Sequence, residues 1–103
     1  MNQNQIQQGD VIFRKVKEVP ATLKPATSRV IEVGEATGHA HVLEDNQASH
    51  IFGEGDNMFI VCEKATSVSH QEHNQVTLEP GTWRKSRVRE WDYFKKEDEK
   101  VRD

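Results

Sequence analysis

The sequence predicts a mainly β protein, a small antiparallel sheet or barrel-like domain with a short C-terminal helix. Short β-prone runs recur along the chain, and turn signals built from glycine, proline, asparagine or aspartate separate them. Seven or eight strands of this length are typical of compact all-β domains. With 103 residues, the chain is expected to be a single domain, residues 1–103, with a thin core.

The predicted strands cover residues 11–16, 29–33, 39–44, 50–52, 58–63, 65–69, 76–78 and 82–91. Pro20 and Pro25 delimit a loop after the first strand, because proline is poorly tolerated inside sheets. The glycine-bracketed turn at residues 34–38 joins the second and third strands as a hairpin. Residues 58–63 are the most apolar run and are expected to form the central strand. Residues 92–100 predict the helix, with Asp92 as its cap.

Composition limits the functional classes. The net charge of −3 argues against non-specific DNA binding by the whole surface. Cys62 is the single cysteine, so no intramolecular disulfide can form, and its apolar neighbours predict a buried, inert thiol. The polar N-terminal residues do not resemble a signal peptide, and no run of about 20 apolar residues is present. We therefore expect a cytoplasmic protein that does not enter membranes.

Paired histidines are the strongest functional signal. Four of the five histidines fall in two tight pairs, His39 with His41 and His70 with His73, whereas His50 is isolated and is expected to be structural. On a strand, alternation places His39 and His41 on one face together with the side chain at position 43. Imidazole titrates near neutral pH, which suits proton transfer or metal binding, and clusters of such groups often mark sites.

A basic strip follows in the last predicted strand. It contains Arg84, Lys85, Arg87 and Arg89 on an otherwise acidic chain, which favours a confined anionic ligand over a long polyanion. Alternation puts Trp83 on the same side as Lys85, Arg87 and Arg89. We interpret that side as solvent-accessible, because a core face would rarely hold so many charges.

Several segments together resemble a family of small bacterial, plasmid and phage proteins. They are Gln-Gly-Asp-Val at residues 8–11, Gly-Glu-Ala-Thr-Gly-His-Ala-His at 34–41, His-Gln-Glu-His at 70–73, Leu-Glu-Pro-Gly-Thr at 78–82, and Arg-Val-Arg-Glu-Trp at 87–91. The pattern is similar to the small dimeric ring nucleases of type III CRISPR systems. That resemblance implies a homodimer that takes part in antiviral defence and cleaves cyclic oligoadenylate messengers to linear products.

The chemistry of such a cleavage matches the residues present. A 2′-hydroxyl attacks the neighbouring phosphorus, which requires a base for the hydroxyl and an acid for the leaving 5′-oxygen. The candidate catalytic residues are His39, His41, His70 and His73, with no cofactor. The candidate substrate-binding residues are Trp83, Arg84, Lys85, Arg87 and Arg89, which would hold cyclic oligoadenylate or another small anionic nucleotide. Trp83, Trp91 or Tyr93 could stack on adenine.

Two alternatives remain open. The first is a divalent transition metal held by His39, His41, His70 and His73, with Glu44 or Glu72 completing the shell. This arrangement resembles cupins, although the spacing to Glu44 is too short and no histidine follows the Pro-Gly turn at residues 80–81. The second is a non-catalytic module that binds a small anion or a protein. Replacing His39 and His41 with alanine distinguishes these hypotheses. A non-catalytic module would still bind its ligand, whereas an enzyme would lose turnover.

Overall fold

The computed structural model describes residues 4–34 and 38–88, which fold as two antiparallel sheets without a helix. The strands are β1 (Gln5–Gln8), β2 (Val11–Val16), β3 (Val30–Val33), β4 (Ala40–Leu43), β5 (Ser49–Glu54), β6 (Asn57–Cys62), β7 (Thr66–Ser69), β8 (Val76–Leu78) and β9 (Gly81–Arg87). The prediction of a mainly β fold is confirmed. The predicted helix at residues 92–100 lies outside the described residues.

The first sheet has the strand order β1-β2-β9-β6-β5, and the second has the order β3-β4-β7-β8. The prediction that residues 58–63 form the central strand was wrong, because β9 occupies the centre and β6 lies beside it. β9 pairs with β2 on one side and with β6 on the other, and in this register Lys85 lies opposite Phe13 of β2 and Met58 of β6. These pairings join segments distant in sequence, which an apolar run cannot reveal.

The two sheets enclose a single apolar core. Its buried members are Val11, Phe13, Ile31, Leu43, Ile51, Met58, Ile60, Cys62, Val68, Leu78 and Trp83. Alternate residues of β2, β6 and β9 supply most of the contribution from the first sheet, as expected for strands with one buried face. Cys62 is buried as predicted, and burial raises the pKa of its thiol. The thiol therefore stays protonated at neutral pH.

The predicted hairpin at the glycine-bracketed turn is present. β3 and β4 pair antiparallel, with Val33 opposite Ala40 and an irregularity between Val30 and Glu32. The backbone N–H of Gly34 donates to the carbonyl of His39 at 2.8 Å, which closes the end of the hairpin. The last residues of β3 and the histidine strand β4 are therefore held side by side.

A second tight turn, missed in the predicted strands, connects β1 to β2. Gln8 pairs with Val11 across Gly9 and Asp10, and Gly9 has a φ of 60°. Glycine at the first of two loop residues is typical of the type II′ hairpin. Contacts between β1 and β8 bring this turn to the end of the second sheet. No helix in the part of the chain that the structure describes is long and apolar enough to cross a membrane.

Candidate functional site

The two histidine pairs come together in space. The ring centroids of His41 and His70 are 4.4 Å apart, those of His70 and His73 4.6 Å, and those of His41 and His73 6.3 Å. The ring of His39 lies 5.8 Å from that of His70. Strand β4 therefore meets the loop between β7 and β8 in one histidine cluster, which consists of His39, His41, His70 and His73.

His41 is the buried member of the cluster. It is 3% exposed and shares the inner face of β4 with Leu43, as the alternation predicted. Its Nδ1 lies 2.8 Å from Gln8 Oε1. Burial is the largest cause that lowers the pKa of His41 below its ordinary value, and the charges of His70 and His73 act in the same direction. At neutral pH, His41 is an uncharged imidazole.

The loop between β7 and β8 holds the other pair. His70 Nδ1 accepts hydrogen bonds from the backbone N–H groups of Glu72 and His73, at 3.0 and 3.3 Å. The backbone N–H of Ala40 donates to Gln71 Oε1 at 2.9 Å, which anchors the loop to β4. His39 Nδ1 lies 3.3 Å from Glu72 Oε1. Two polar contacts, Gln71 with Ala40 and Glu72 with His39, thus join the loop to the histidine strand.

A pocket of about 340 Å³ lies against three of these histidines. Residues from the β1–β2 turn, β3, β4, the β7–β8 loop and β9 line it, namely Gly9, Asp10, Glu32, Val33, Gly34, His41, His70, Glu72, His73 and Arg87. Both sheets contribute, so the pocket lies where the ends of the two sheets meet. We refer to it as the histidine pocket.

Carboxylates and cations form a connected network beside the histidine pocket. Lys85 Nζ lies 2.7 Å from Glu32 Oε1, and the guanidinium of Arg87 lies 3.5 Å from Glu32 and 3.4 Å from Asp10. Asp10 Oδ1 in turn lies 3.7 Å from His41 Nε2. Asp10 and Glu32 both favour the protonated form of His41 and oppose the effect of burial. A chain of ion pairs therefore runs from the buried Lys85 to the histidine cluster.

The side of the last strand that holds Trp83, Lys85, Arg87 and Arg89 was predicted to be solvent-accessible, and for two of these residues that prediction was wrong. Trp83 and Lys85 are both 0% exposed and belong to the core face of β9. Alternation grouped them correctly, but it does not tell which face is buried. The ion pair with Glu32 makes a buried ammonium tolerable.

The predicted substrate-binding residues do not lie together in the fold. A buried Trp83 has no face available for adenine, and its Nε1 donates to the carbonyl of Glu79. Arg84 points to the opposite side of β9, with its guanidinium 5.8 Å from the ring centroid of Phe59. Of the strip, Arg87 lines the histidine pocket. Arg89, Trp91 and Tyr93 lie outside the described residues.

Two other predicted residues lie apart from the histidine pocket. The carboxylate of Glu44, an alternative metal ligand, accepts a hydrogen bond from the backbone N–H of Ser67, and that bond lowers the pKa of Glu44. His50 is exposed, and its Nε2 lies 3.5 Å from Glu63 Oε2, so its structural role stays a prediction. Within residues 4–34 and 38–88, no group of three or more His, Cys, Asp or Glu side chains is arranged to hold a metal ion.

Three residues near His41 were not predicted as site residues. Gln8, Asp10 and Glu32 were not singled out as site residues, although Gly9-Asp10 is a turn signal of the kind that joins two strands. A hairpin at that turn would have placed Gln8 and Asp10 next to one another. Glu32 pairs with His41 across the predicted β3–β4 hairpin, so the hairpin register could have identified it. Only the contacts of Glu32 with Lys85 and Arg87 of β9 depend on packing between distant strands.

A small two-sheet antiparallel β domain with a histidine-lined pocket between its sheet ends is the class that this fold and site define. The chain belongs to the family described as Domain of unknown function (DUF8820), whose model matches residues 7–88. The matched range contains every residue that lines the histidine pocket. Comparison with curated proteins and with solved structures finds no match to this chain.

Proposed function

We propose that the histidine pocket is the active site of a ring nuclease-like phosphodiesterase that cleaves cyclic oligoadenylate to linear products without a metal. The observation that carries the proposal is the pair of His41 and His73 rings. Their centroids are 6.3 Å apart and their planes differ by 9°. Two imidazoles at this separation can flank one phosphodiester, one on the side of the attacking oxygen and one on the side of the leaving oxygen.

The reaction needs two proton transfers. One histidine takes the proton of the 2′-hydroxyl as the O2′–P bond forms. A protonated histidine gives its proton to the 5′-oxygen as the P–O5′ bond breaks. The ring becomes a linear product with a 2′,3′-cyclic phosphate at one end and a 5′-hydroxyl at the other. A buried neutral His41 and an exposed His73 fit these different tasks, because burial disfavours the charged form.

Arg87 is the candidate phosphate-binding residue. Its side chain is 39% exposed at the wall of the histidine pocket and can form a bidentate contact with two phosphoryl oxygens. The guanidinium contacts Asp10 and Glu32, so a phosphate would have to share Arg87 with these carboxylates or displace them. We expect binding to weaken with salt, as for other exposed ion contacts.

The size of the histidine pocket favours a complex in which two subunits bind one cyclic oligoadenylate. About 340 Å³ is near the lower end of ligand pockets, which span about 300–1,000 Å³, and suits one nucleotide linkage better than a whole ring. A cyclic oligoadenylate with an even number of nucleotides presents equivalent phosphates across a two-fold axis. A homodimer has the matching symmetry, so two pockets could hold one ring. We place this activity in the cytoplasm, within type III CRISPR defence.

The test is incubation of the purified protein with cyclic tetra-adenylate in excess chelator, with products separated by chromatography. We expect linear products from the wild type. His41→Ala should lower the rate by about a hundredfold or more, the usual contribution of one acid or base. His50→Ala is the matched control, since it removes an imidazole that is outside the cluster, and should keep the rate. Intact substrate after prolonged incubation with the wild type would overturn the proposal.

A metal-dependent hydrolase is the second candidate. It is favoured by the approach of His41 Nε2 to Asp10 Oδ1 at 3.7 Å, because a cation could bridge the two. Elemental analysis of the purified protein separates the candidates. One tightly held metal per chain, together with loss of activity in chelator, would favour the metal. If ligand binding survives His39→Ala with His41→Ala and no turnover is found, a non-catalytic binding module is the better description.

A further inference from the structure

We infer that Gln8 is a positioning residue that fixes His41 as the proton acceptor of the histidine pocket, while the backbone of the β7–β8 loop fixes His70 as a hydrogen donor. The assignment of catalytic roles rests on the proposed function. The positions of the two protons do not, because they follow from the hydrogen-bond partners alone. Gln8 belongs to the hairpin that the strand prediction missed.

The orientation of the Gln8 amide is set by two carbonyl groups. Its Nε2 lies 2.9 Å from the carbonyl oxygen of Val68 and 2.9 Å from that of Asn74. Carbonyl oxygens only accept hydrogen bonds, so the NH₂ group must face them. Gln8 is 2% exposed, which makes these bonds costly to lose. The amide oxygen therefore points to His41.

The tautomer of His41 follows. Gln8 Oε1 lies 2.8 Å from His41 Nδ1, and an amide oxygen can only accept. Nδ1 must then carry the hydrogen, so the Nε2 of the neutral ring has a free electron pair. Asp10 Oδ1 lies 3.7 Å from this nitrogen, and Glu32, His70 and His73 are the other titratable groups that act on the ring. The two carboxylates can stabilise the imidazolium that forms when Nε2 accepts a proton.

His70 has the opposite tautomer. Its Nδ1 accepts the backbone N–H groups of Glu72 and His73, and N–H groups only donate. Nδ1 is therefore unprotonated, and the hydrogen of the neutral ring is on Nε2. The rings of His41 and His70 are 4.4 Å apart. A proton acceptor and a hydrogen donor thus stand next to each other, with His70 placed to stabilise a phosphoryl oxygen and His73 left as the acid.

The first experiment measures the tautomers directly. Long-range ¹H–¹⁵N spectra of the ¹⁵N-labelled wild type, recorded at a pH where the rings are neutral, distinguish protonated from unprotonated ring nitrogens. We expect a protonated Nδ1 in His41 and a protonated Nε2 in His70. A protonated Nε2 in His41 would overturn the inference, and this result needs no variant and no substrate.

Variants test whether Gln8 is the cause. Gln8→Met removes the acceptor oxygen and should release His41 from the Nδ1–H tautomer and lower kcat by about a hundredfold. The Nε2–H tautomer of His70 should be retained, because backbone N–H groups of its own loop set it. The matched control is Gln5→Met on the same strand, where the exposed amide contacts Arg14. An unchanged His41 tautomer in folded Gln8→Met would overturn the role of Gln8.

The two proposals fail in different ways. If the expected tautomers are found and cyclic tetra-adenylate is not cleaved, the proton positions stand and the proposed function is wrong. If cleavage occurs with His41 in the Nε2–H form, the function stands and the assignment of Gln8 is wrong. If Gln8→Met does not fold, the wild-type spectrum decides the assignment, because a protonated Nε2 in His41 excludes a hydrogen bond from Nδ1 to Gln8 Oε1 in the neutral ring.

Discussion

At the scale of single residues, burial separates the ionisable groups that can transfer protons in the pocket from those that stabilise the fold. His41 is nearly inaccessible and uncharged, whereas His73 on the loop is exposed. Lys85 has no exposed surface, and its Nζ lies 2.7 Å from Glu32 Oε1. The same contrast gives two predictions, one about protons and one about charge.

The stability of the protein should fall as the pH falls below about 6.5, the ordinary pKa of histidine. The lowered pKa of His41 means that the unfolded chain binds a proton more readily than the folded one, so acid favours unfolding. When unfolding in urea is measured at several pH values, the free energy of unfolding should depend less on pH in His41→Gln than in the wild type. The exposed His50→Gln should behave as the wild type, and an identical pH dependence in His41→Gln would contradict the prediction.

Lys85→Met should lower the free energy of unfolding by about 3 kcal/mol, because it leaves the Glu32 carboxylate with only the more distant Arg87. The double variant with Glu32→Gln should recover part of the loss. Arg84→Met is the matched control on the exposed side of β9, and surface changes are usually within about 0.5 kcal/mol. Equal urea midpoints for the Lys85 and Arg84 variants would show that Lys85 is not a buried partner.

At the scale of elements, the β1–β2 turn connects the first sheet to the histidine cluster. Gly9 has a φ of 60°, and a Cβ at this position would lie 2.6 Å from His73 Nε2. Gly55 in the β5–β6 turn has nearly the same backbone, with a φ of 58°, and no atom within 4 Å of such a Cβ. The two glycines separate the cost of backbone strain from the cost of displacing His73.

Gly9→Ala and Gly55→Ala should both destabilise the protein by about 1–2 kcal/mol, the cost of a left-handed conformation for an L-residue. Only Gly9→Ala should also shift the NMR signals of His73 and lower the rate of cleavage, because the new methyl group displaces the imidazole. Unfolding in urea and histidine spectra measure the two effects. Equal activity of the two variants would mean that the contact with Gly9 does not position His73.

At the scale of the whole molecule, the histidine pocket lies beside a sheet edge. β3 is an edge strand of the second sheet, and its Val30 and Val33 are the exposed large apolar side chains in the part of the chain that the structure describes. Val33 also lines the pocket. Pairing of two β3 edges about a two-fold axis would cover these valines and bring two pockets together.

Val33→Asp should convert the expected homodimer to a monomer, because the carboxylate would be buried in the interface. Thr77→Asp, at the opposite edge strand of the same sheet, is the control and should leave the dimer intact. Light scattering before and after addition of cyclic tetra-adenylate measures both. A wild type that is monomeric and active at the assay concentration would exclude the dimer.

Mixing two inactive variants tests whether one pocket is built from a single chain. His41 and Arg87 line the same pocket of one chain, so an inactive His41→Ala subunit and an Arg87→Ala subunit each have an incomplete pocket. Mixing them should restore little activity. Substantial recovery would require that a partner supplies one of these residues across the interface.

The sequence by itself determined the pattern of strands β2 to β9, the β3–β4 hairpin, the burial of Cys62 and the grouping of His41 with Leu43, because each depends on local turns and a two-residue period. It also pointed to the two histidine pairs. The tertiary structure decided that the pairs meet, that Lys85 and Trp83 face the core, and that Gln8 and Asp10 lie against His41. Alternation specifies which side chains share a face, whereas contacts between distant strands determine which face is buried and what it touches.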